Sequence, residues 1–244
     1  MSDPQPPEAI NEANQTGLEE LAWAIEMSVG QFTLFLARCN YAGLRSQLAA
    51  RLRAICSVEI RTITLKASAR TLFTTLRNEL GDEQPQALMV FGLESVRDLD
   101  EVLAATDQVR EEFRKSFTCP MVLWVDDPTF IKLTRQAPNF TNWAGGTTRF
   151  AIAPDTLTQA LQQAADQLFS ILLAPNSQRS FDQLLVDLDL GFLQRSEVDL
   201  ALQDLRTQGQ TLEPALQADL DFSQGLNALD QAEALECFQR SLKF

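Results

Sequence analysis

The chain has 244 residues, of which 45% are hydrophobic, and it carries a formal charge of −13 with no histidine. This length and composition are sufficient for a hydrophobic core, whereas the missing histidine excludes histidine-based catalytic triads and histidine-ligated metal sites. The acidic charge argues against nucleic-acid binding, because the net field of the protein repels a polyanion.

The acidic charge lies mainly in the two flanks of the chain. Residues 1–37 carry six acids and no base, residues 38–149 carry thirteen acids and fifteen bases, and residues 150–244 carry fourteen acids and five bases. Residues 1–16 are acidic and rich in proline, which predicts a disordered leader rather than a signal peptide. No apolar run approaches the ~18 residues that are needed to span a membrane. We therefore expect a cytoplasmic protein that does not bind membranes.

The middle of the chain alternates between strand and helix patterns. An amphipathic helix is predicted over 18–28, followed by strands over 32–37, 59–65, 87–91, 120–125 and 148–152. Helices are predicted between the strands, over 44–55, 69–80, 99–117 and 129–135. This alternation, with continuous apolar runs as strands, predicts an α/β fold in which helices cover both faces of a parallel sheet of about five strands.

Beyond Pro154 the pattern is helical throughout. Helices are predicted over 157–172, 181–193, 197–208, 214–228 and 232–242. The chain is therefore divided into a leader, 1–16, an α/β domain, 17–154, and a helical extension, 155–244. The four cysteines are widely spaced and form no C-x-x-C pair, which favours unpaired thiols over a disulfide or a metal site. We expect no metal and no cofactor.

Charged residues stand where three of the predicted strands end. Arg38 follows the first strand, Glu94 the third, and Asp126 and Asp127 the fourth. Open α/β sheets bind ligands at the carboxyl ends of their strands, so these four residues are candidates for binding a nucleotide or another anion. Each also has a structural interpretation: Arg38 as a surface charge, and the acids as stabilisers of helix N-termini. Asp127 before Pro128 is typical of a helix cap.

The segment after the first strand lacks a phosphate-binding loop. It reads Arg38-Cys39-Asn40-Tyr41-Ala42-Gly43-Leu44, and no lysine occurs before Lys66. A P-loop requires glycines whose N–H groups surround the phosphates, a lysine, and a Ser or Thr for Mg²⁺. A G-x-S-x-G nucleophile elbow is also absent from the sequence. We therefore expect that the protein is not an enzyme.

The order of strands and helices resembles the additional-strand (ASCE) class of P-loop NTPases, which includes the AAA+ and STAND families. The sequence Phe91-Gly92-Leu93-Glu94 is similar to the Walker B position of that class, and Trp124-Val125-Asp126-Asp127 to its sensor position. The stretch from Val122 through Ala137-Pro138-Asn139-Phe140 to Trp143 and Phe150 resembles the inactive STAND-like modules of bacterial TPR proteins. The resemblance implies a degenerate P-loop NTPase-like domain.

The last helical pair, 214–244, resembles a degenerate tetratricopeptide repeat. Gly225 and Ala228 fall at the small packing positions of its first helix, and Ala234 and Phe238 keep the spacing of its second helix. Because one repeat cannot bury its own face, we expect it to pack against neighbouring helices.

These resemblances imply a non-catalytic scaffold or adaptor in a bacterial signalling or defence-type assembly. Protein partners would bind the helical repeat face, and self-association is a second mode. Trp143, which precedes Ala144-Gly145-Gly146, is a candidate partner-binding aromatic or, alternatively, a lid packed over the sheet edge. The alternative function is a regulatory module that binds ATP or ADP weakly, with little or no hydrolysis, through the four charged residues at the strand ends.

Overall fold

The structure is a computed structural model that describes residues 11–172, 197–228 and 230–243. The described residues form two compact units. The sheet unit contains residues 11–40 and Leu44–Ala151, and the helical unit contains Tyr41–Gly43 together with the described residues from Ile152 onward. The predicted helix over 181–193 and the first ten residues of the predicted leader lie outside the described residues.

Five strands and seven α-helices alternate in the chain up to residue 151. The strands are β1 (Thr33–Cys39), β2 (Ile60–Thr64), β3 (Ala87–Phe91), β4 (Pro120–Val125) and β5 (Ala144–Phe150). The helices are α1 (Glu12–Met27), α2 (Ala42–Ile55), α3 (Leu72–Leu80), α4 (Leu99–Gln108), α5 (Arg110–Ser116), α6 (Asp127–Gln136) and α7 (Pro138–Thr141), and a short 3₁₀ helix, Leu93–Ser95, follows β3.

All the strand pairs are parallel, and the strands lie side by side in the order β2-β3-β4-β1-β5. The predicted fold class, a parallel five-stranded α/β sheet flanked by helices and followed by a helical region, is confirmed. Strand β4 lies between β1 and β3. The carboxyl ends of β1, β3 and β4 consequently meet at one edge.

Strands β1, β3 and β4 bury side chains on both faces of the sheet, which explains why they read as continuous apolar runs. Alternate residues of β1 to β4 join one core cluster with helices α3 to α7; its strand members are Leu34, Leu36, Ile63, Leu88, Val90, Met121, Leu123 and Val125. The intervening residues face the opposite way. Among them the Trp124 ring is fully buried and stacks between Phe91 and Phe150, at centroid distances of 5.8 and 5.4 Å.

Four described helices form the helical unit: α8 (Pro154–Leu172), α9 (Val198–Thr207), α10 (Pro214–Asn227) and α11 (Gln231–Ser241). Helix α8 packs against α9 and α10, and α10 packs against α11. A Cβ atom on Gly225 of α10 would lie 2.7 Å from the Phe238 ring of α11, so this glycine allows the two helices to approach closely. None of the described helices combines the length and the apolar composition that crossing a membrane requires.

The predicted leader is wrong for residues 12–16, which are helical. Helix α1 begins at Glu12, with the Asn11 side chain accepting a hydrogen bond from the Asn14 N–H at 2.8 Å. The buried Asn14 amide then bonds both backbone groups of Ala151, donating to the oxygen at 2.8 Å and accepting from the nitrogen at 3.1 Å. These paired bonds secure the first turn of the helix to the chain just after β5.

The start of β5 and the extent of one predicted helix also differ from the sequence predictions. Strand β5 begins at Ala144 rather than residue 148, because Gly145 lies close to β1: a Cβ there would meet the Thr33 methyl group at 2.9 Å. The helix predicted over 99–117 is broken at Val109, where φ is −101° and ψ is 15°. Asp107, just before the break, accepts a hydrogen bond from the Phe140 N–H at 2.9 Å, which joins α4 to α7.

Substitution of Gly92, which links β3 to the 3₁₀ helix, should destabilise the sheet unit. Gly92 has φ +83°, and a Cβ there would lie 2.8 Å from the Leu65 carbonyl oxygen. We expect Gly92→Ala to lower the free energy of unfolding by about 2–3 kcal/mol, from positive-φ strain together with the backbone clash. Urea denaturation followed by circular dichroism measures this change.

The matched control is Gly30→Ala, because Gly30 has φ +87° but open space around its Cβ position. Gly30→Ala should lower the free energy of unfolding by only about 1 kcal/mol. Equal losses in the two variants would contradict the role assigned to the close approach of Leu65.

Candidate functional site

The carboxylate of Asp127 is the centre of a hydrogen-bonded ion cluster at the carboxyl edge of the sheet. Oδ1 accepts hydrogen bonds from Arg38 Nη2 at 2.8 Å and Nε at 3.1 Å, and Oδ2 accepts from Arg149 Nη2 at 3.1 Å and Asn40 Nδ2 at 3.3 Å. The Asp127 N–H donates to Asn40 Oδ1 at 2.8 Å. The Arg38 guanidinium also lies 4.2 Å from the centre of the Phe130 ring. The positive charge of Arg38 is therefore neutralised by the Asp127 carboxylate of the same protein.

The cluster lowers the pKa of Asp127. Burial alone would raise it, but the hydrogen bonds and charge of Arg38, followed by those of Arg149, outweigh burial and hold the pKa below the usual value of 3.8. Asp127 is consequently an anion at neutral pH, and it is a poor candidate for a group that exchanges protons.

The helix cap at α6 is one residue earlier than predicted. Asp126, not Asp127, is the N-cap, and its Oδ1 accepts a hydrogen bond from the Thr129 N–H at 2.8 Å. Pro128 lies in the first turn, as expected for such a start. Asp127 is left to bind the arginines, so the adjacent acids have separate structural roles.

Glu94 forms an ion pair with Arg45 of α2. Arg45 Nη1 donates to Glu94 Oε1, and Nη2 donates to the Cys39 carbonyl oxygen at 2.8 Å. The Arg45 residue is only 7% exposed, and its Nε and the Glu94 Oε2 are buried without a hydrogen-bond partner. The acid at the Walker B-like position is thus neutralised by a cation of the protein itself.

The position of Arg45 in the sequence can be compared with the P-loop pattern G-x-x-x-x-G-K-[S/T]. If Gly43 is placed at the second glycine, Arg38 falls at the first glycine, Leu44 at the lysine and Arg45 at the Ser or Thr that binds Mg²⁺. Leu44 is fully buried. On this placement Arg45, which pairs with Glu94, stands where the pattern has its metal ligand.

The first turn of α2 already holds a carboxylate. The Ala42 N–H donates to Glu197 Oε1 at 2.5 Å, and the adjacent Tyr41 hydroxyl donates to Asp204 Oδ2 at 2.6 Å. All of these residues belong to the helical unit, and Tyr41, Glu197 and Asp204 are at most 5% exposed. A helix N-terminus favours an anion through its N–H groups and its dipole. At Ala42 that anion is a side chain of the same protein.

Trp143 lies away from the other candidate residues. It directly precedes β5 and therefore marks the amino edge of the sheet, whereas Arg38, Glu94 and Asp127 lie at or beyond the carboxyl ends of their strands. Its ring contacts Phe32 edge-on at 6.4 Å, and the Arg114 guanidinium lies 5.4 Å from its centre. The indole is partly buried by these contacts. These contacts favour the interpretation of Trp143 as a residue packed at the sheet edge.

Two of the four cysteines, Cys56 and Cys119, have thiols of low reactivity. Burial raises the pKa of Cys119 to about 11, and burial together with the charge of Glu26 raises that of Cys56 to about 11. Both thiols are therefore protonated at neutral pH and are weak nucleophiles. Over the described ranges, no group of three or more cysteine or acidic side chains is placed to hold a metal ion.

Sequence reasoning missed the partners of Glu94, Tyr41 and Ala42. Arg45 could have been found by laying the eight-residue P-loop pattern on residues 38–45. Glu197 and Asp204 carry no local signal, because they lie 155 and 163 residues from Ala42 and Tyr41.

Comparisons with known proteins found similarity in structure alone. No protein-family model matches the chain, and no curated protein matches its sequence. The ORC2 protein of Aeropyrum pernix in its ADPNP–ADP complexes is 15% identical at a TM-score of 0.43, over 95% of this chain and 72% of that one. The ADP form of the same protein is 14% identical at a TM-score of 0.41, over 98% and 70%. Likeness of this strength carries no functional argument, and the fold assignment rests on the sheet topology.

Substitution of Asp127 should change the acid dependence of stability. Its pKa is lower in the folded state than the ordinary 3.8, so the ionised carboxylate stabilises the fold at neutral pH, and this contribution is lost as pH falls through the folded pKa. We expect Asp127→Asn to lower the free energy of unfolding by about 1–2 kcal/mol between about pH 7 and pH 5. The difference from wild type should shrink below about pH 4. Urea denaturation across this pH range measures it.

Glu83→Gln is the matched control, since Glu83 also pairs with an arginine, Arg61, but at an exposed site. It should change stability by less than about 0.5 kcal/mol. A pH-independent loss in Asp127→Asn would contradict the assigned cause.

Removing the acid partner of Arg45 should leave a buried charge uncompensated. We expect Glu94→Leu to lower the free energy of unfolding by about 2–3 kcal/mol, because the Arg45 guanidinium cannot reach water. The double variant Arg45→Met/Glu94→Leu should recover at least half of that loss, since it removes both charges. Denaturation of the three proteins at pH 7 provides the comparison. If the double variant were less stable than Glu94→Leu, the unpaired Arg45 charge would not be the cause of the lower free energy of unfolding in Glu94→Leu.

Proposed function

We propose that this protein is a non-catalytic scaffold or adaptor module, which keeps the architecture of a P-loop NTPase and binds protein partners. The observation that carries the proposal is the hydrogen bond from the Ala42 N–H to the buried Glu197 carboxylate. A nucleotide phosphate that used this helix N-terminus would have to displace a side chain already suited to it.

The other nucleotide-binding features support the same proposal. A buried Leu44 replaces the P-loop lysine, Arg45 replaces the Mg²⁺ ligand and pairs with Glu94, and Arg38 pairs with Asp127. Each position that would meet a triphosphate or its metal thus contributes to the packing or the internal ion pairs of the fold.

The helical unit supplies the proposed partner surface. Helices α10 and α11 pack as a close pair through Gly225 and Phe238, as in the degenerate tetratricopeptide repeat that the sequence predicts. The side chains of Leu235 on α11 and of Leu242, the C-cap of that helix, are 57% and 86% exposed. Repeats cover such faces by stacking on a neighbour, and we propose that a protein partner takes that place. The resemblance to STAND-like modules extends the proposal to a bacterial signalling or defence-type assembly.

The alternative is a regulatory module with weak affinity for ATP or ADP. It requires a ligand that competes with Glu197 at Ala42 and breaks the pairs of Arg38 and Glu94. The candidate residues Asp126 and Asp127 would not assist, because one caps α6 and the other carries a negative charge that repels phosphate.

Titration calorimetry separates the two functions. We expect no binding heat when the full chain is titrated with ATP or ADP, with or without Mg²⁺, because the anion-binding groups are internally satisfied. A dissociation constant below about 100 μM, equivalent to roughly −5.5 kcal/mol, would overturn the proposal and support the regulatory module.

A further inference from the structure

Large apolar side chains are exposed together at the end of α1. The described residues contain six exposed large hydrophobic side chains, and three of them lie within seven residues: Trp23, Met27 and Val29. Trp23 and Met27 are 66% and 65% exposed and stand one helical turn apart, so they form a continuous ridge. Single exposed apolar residues are ordinary, but a group of this kind marks an interaction surface.

The helix that carries this ridge is firmly held by the sheet unit. Leu18, Leu21 and Ile25 are buried on its inner side. Near its C-terminal end Glu26 accepts hydrogen bonds from the Ser57 N–H at 2.6 Å and from the Ser57 hydroxyl at 2.8 Å. A preorganised surface loses little conformational entropy when a partner binds. Tryptophan on such a surface is a frequent source of binding energy.

The charged residues of α1 are all acidic. Glu19 and Glu20 are exposed and lie one turn before Trp23, and residues 11–37 contain four glutamates and no basic residue. A second copy of α1 would bring glutamates against glutamates, and an anionic polymer or lipid surface would be repelled. A complementary partner is therefore apolar at its centre and positively charged around it.

We propose that the α1 face, defined as Glu19, Glu20, Trp23, Met27 and Val29, docks a basic amphipathic helix of a protein partner. The apolar side of that helix packs on Trp23 and Met27, and its Lys or Arg residues lie against Glu19 and Glu20. A helix fits because the ridge repeats at one-turn spacing, which matches the grooves between the turns of another helix. This inference rests on the proposed adaptor role and assigns it a second surface, on the sheet unit.

Two labelled peptides test the proposal on the full chain. Both are amphipathic helices with the same leucine face, but one carries lysines and the other glutamates on its polar side. Fluorescence anisotropy at low and high salt measures their binding. We expect the lysine peptide to bind and to weaken as salt screens the charges, whereas the glutamate peptide does not bind.

Substitutions then locate the binding surface. Trp23→Ala, which keeps every charge, should weaken the lysine peptide at least about 10-fold, and Glu19→Lys/Glu20→Lys should abolish the salt dependence. The matched control is Ile131→Ala, because Ile131 is an exposed apolar residue on a different helix, and it should leave binding unchanged. Circular dichroism verifies that each variant is folded.

Three results would overturn the α1 proposal: no binding of the lysine peptide, equal binding of the two peptides, or unchanged binding to Trp23→Ala. A fourth variant, Leu235→Ala/Leu242→Ala, separates this proposal from the proposed function. If only that variant lost binding, the α1 face would be wrong and the helical surface would be supported. Nucleotide binding in the calorimetric titration, by contrast, would count against the adaptor role and leave the peptide result intact.

Discussion

Two arginines stand side by side at the carboxyl edge of the sheet, and their mutual repulsion must be compensated. Arg38 of β1 and Arg149 of β5 are direct register partners, and like charges at such positions destabilise a sheet. The Asp127 carboxylate bonds to both guanidinium groups, while its backbone N–H and Oδ2 are joined to Asn40 beyond β1. One carboxylate at the start of α6 therefore allows β5 to pair with β1 as an edge strand.

Arginine charge is also compensated elsewhere at the carboxyl edge of the sheet. A sheet edge that binds polyphosphate needs uncompensated positive charge and open N–H groups. Here Arg45 is buried against Glu94. Buried ion pairs of this type contribute little net stability compared with apolar packing, but loss of one member is costly. Loss of Glu94 alone would leave the Arg45 charge buried and unpaired, so we expect the two residues to be kept or replaced together.

The sequence predicts those parts of the fold that depend on hydrophobic pattern. The continuous apolar runs identify β1, β3 and β4, since burial on both faces leaves little room for polar residues. The edge strands β2 and β5 contain exposed polar residues, so their sequence signal is weaker. Prediction from the sequence fails where one residue type occurs in two kinds of structure. Asn14 is typical of a loop, but its side chain bonds the Ala151 backbone within a helix. Gly145 is typical of a turn, but it lies in a strand and permits close approach to Thr33. At the site, local spacing identifies Arg38, Glu94 and Asp127 as edge residues. Their partners come from distant segments, so no local pattern shows which residues pair, although the P-loop pattern draws attention to Arg45.

The hydrogen bond between Tyr41 and Asp204 spans 163 residues of chain. A nascent polypeptide has therefore completed all five strands before the residue that secures the loop after β1 is synthesised. Because contacts of such long sequence separation are costly to close, the Tyr41 side chain reaches its final conformation late in folding.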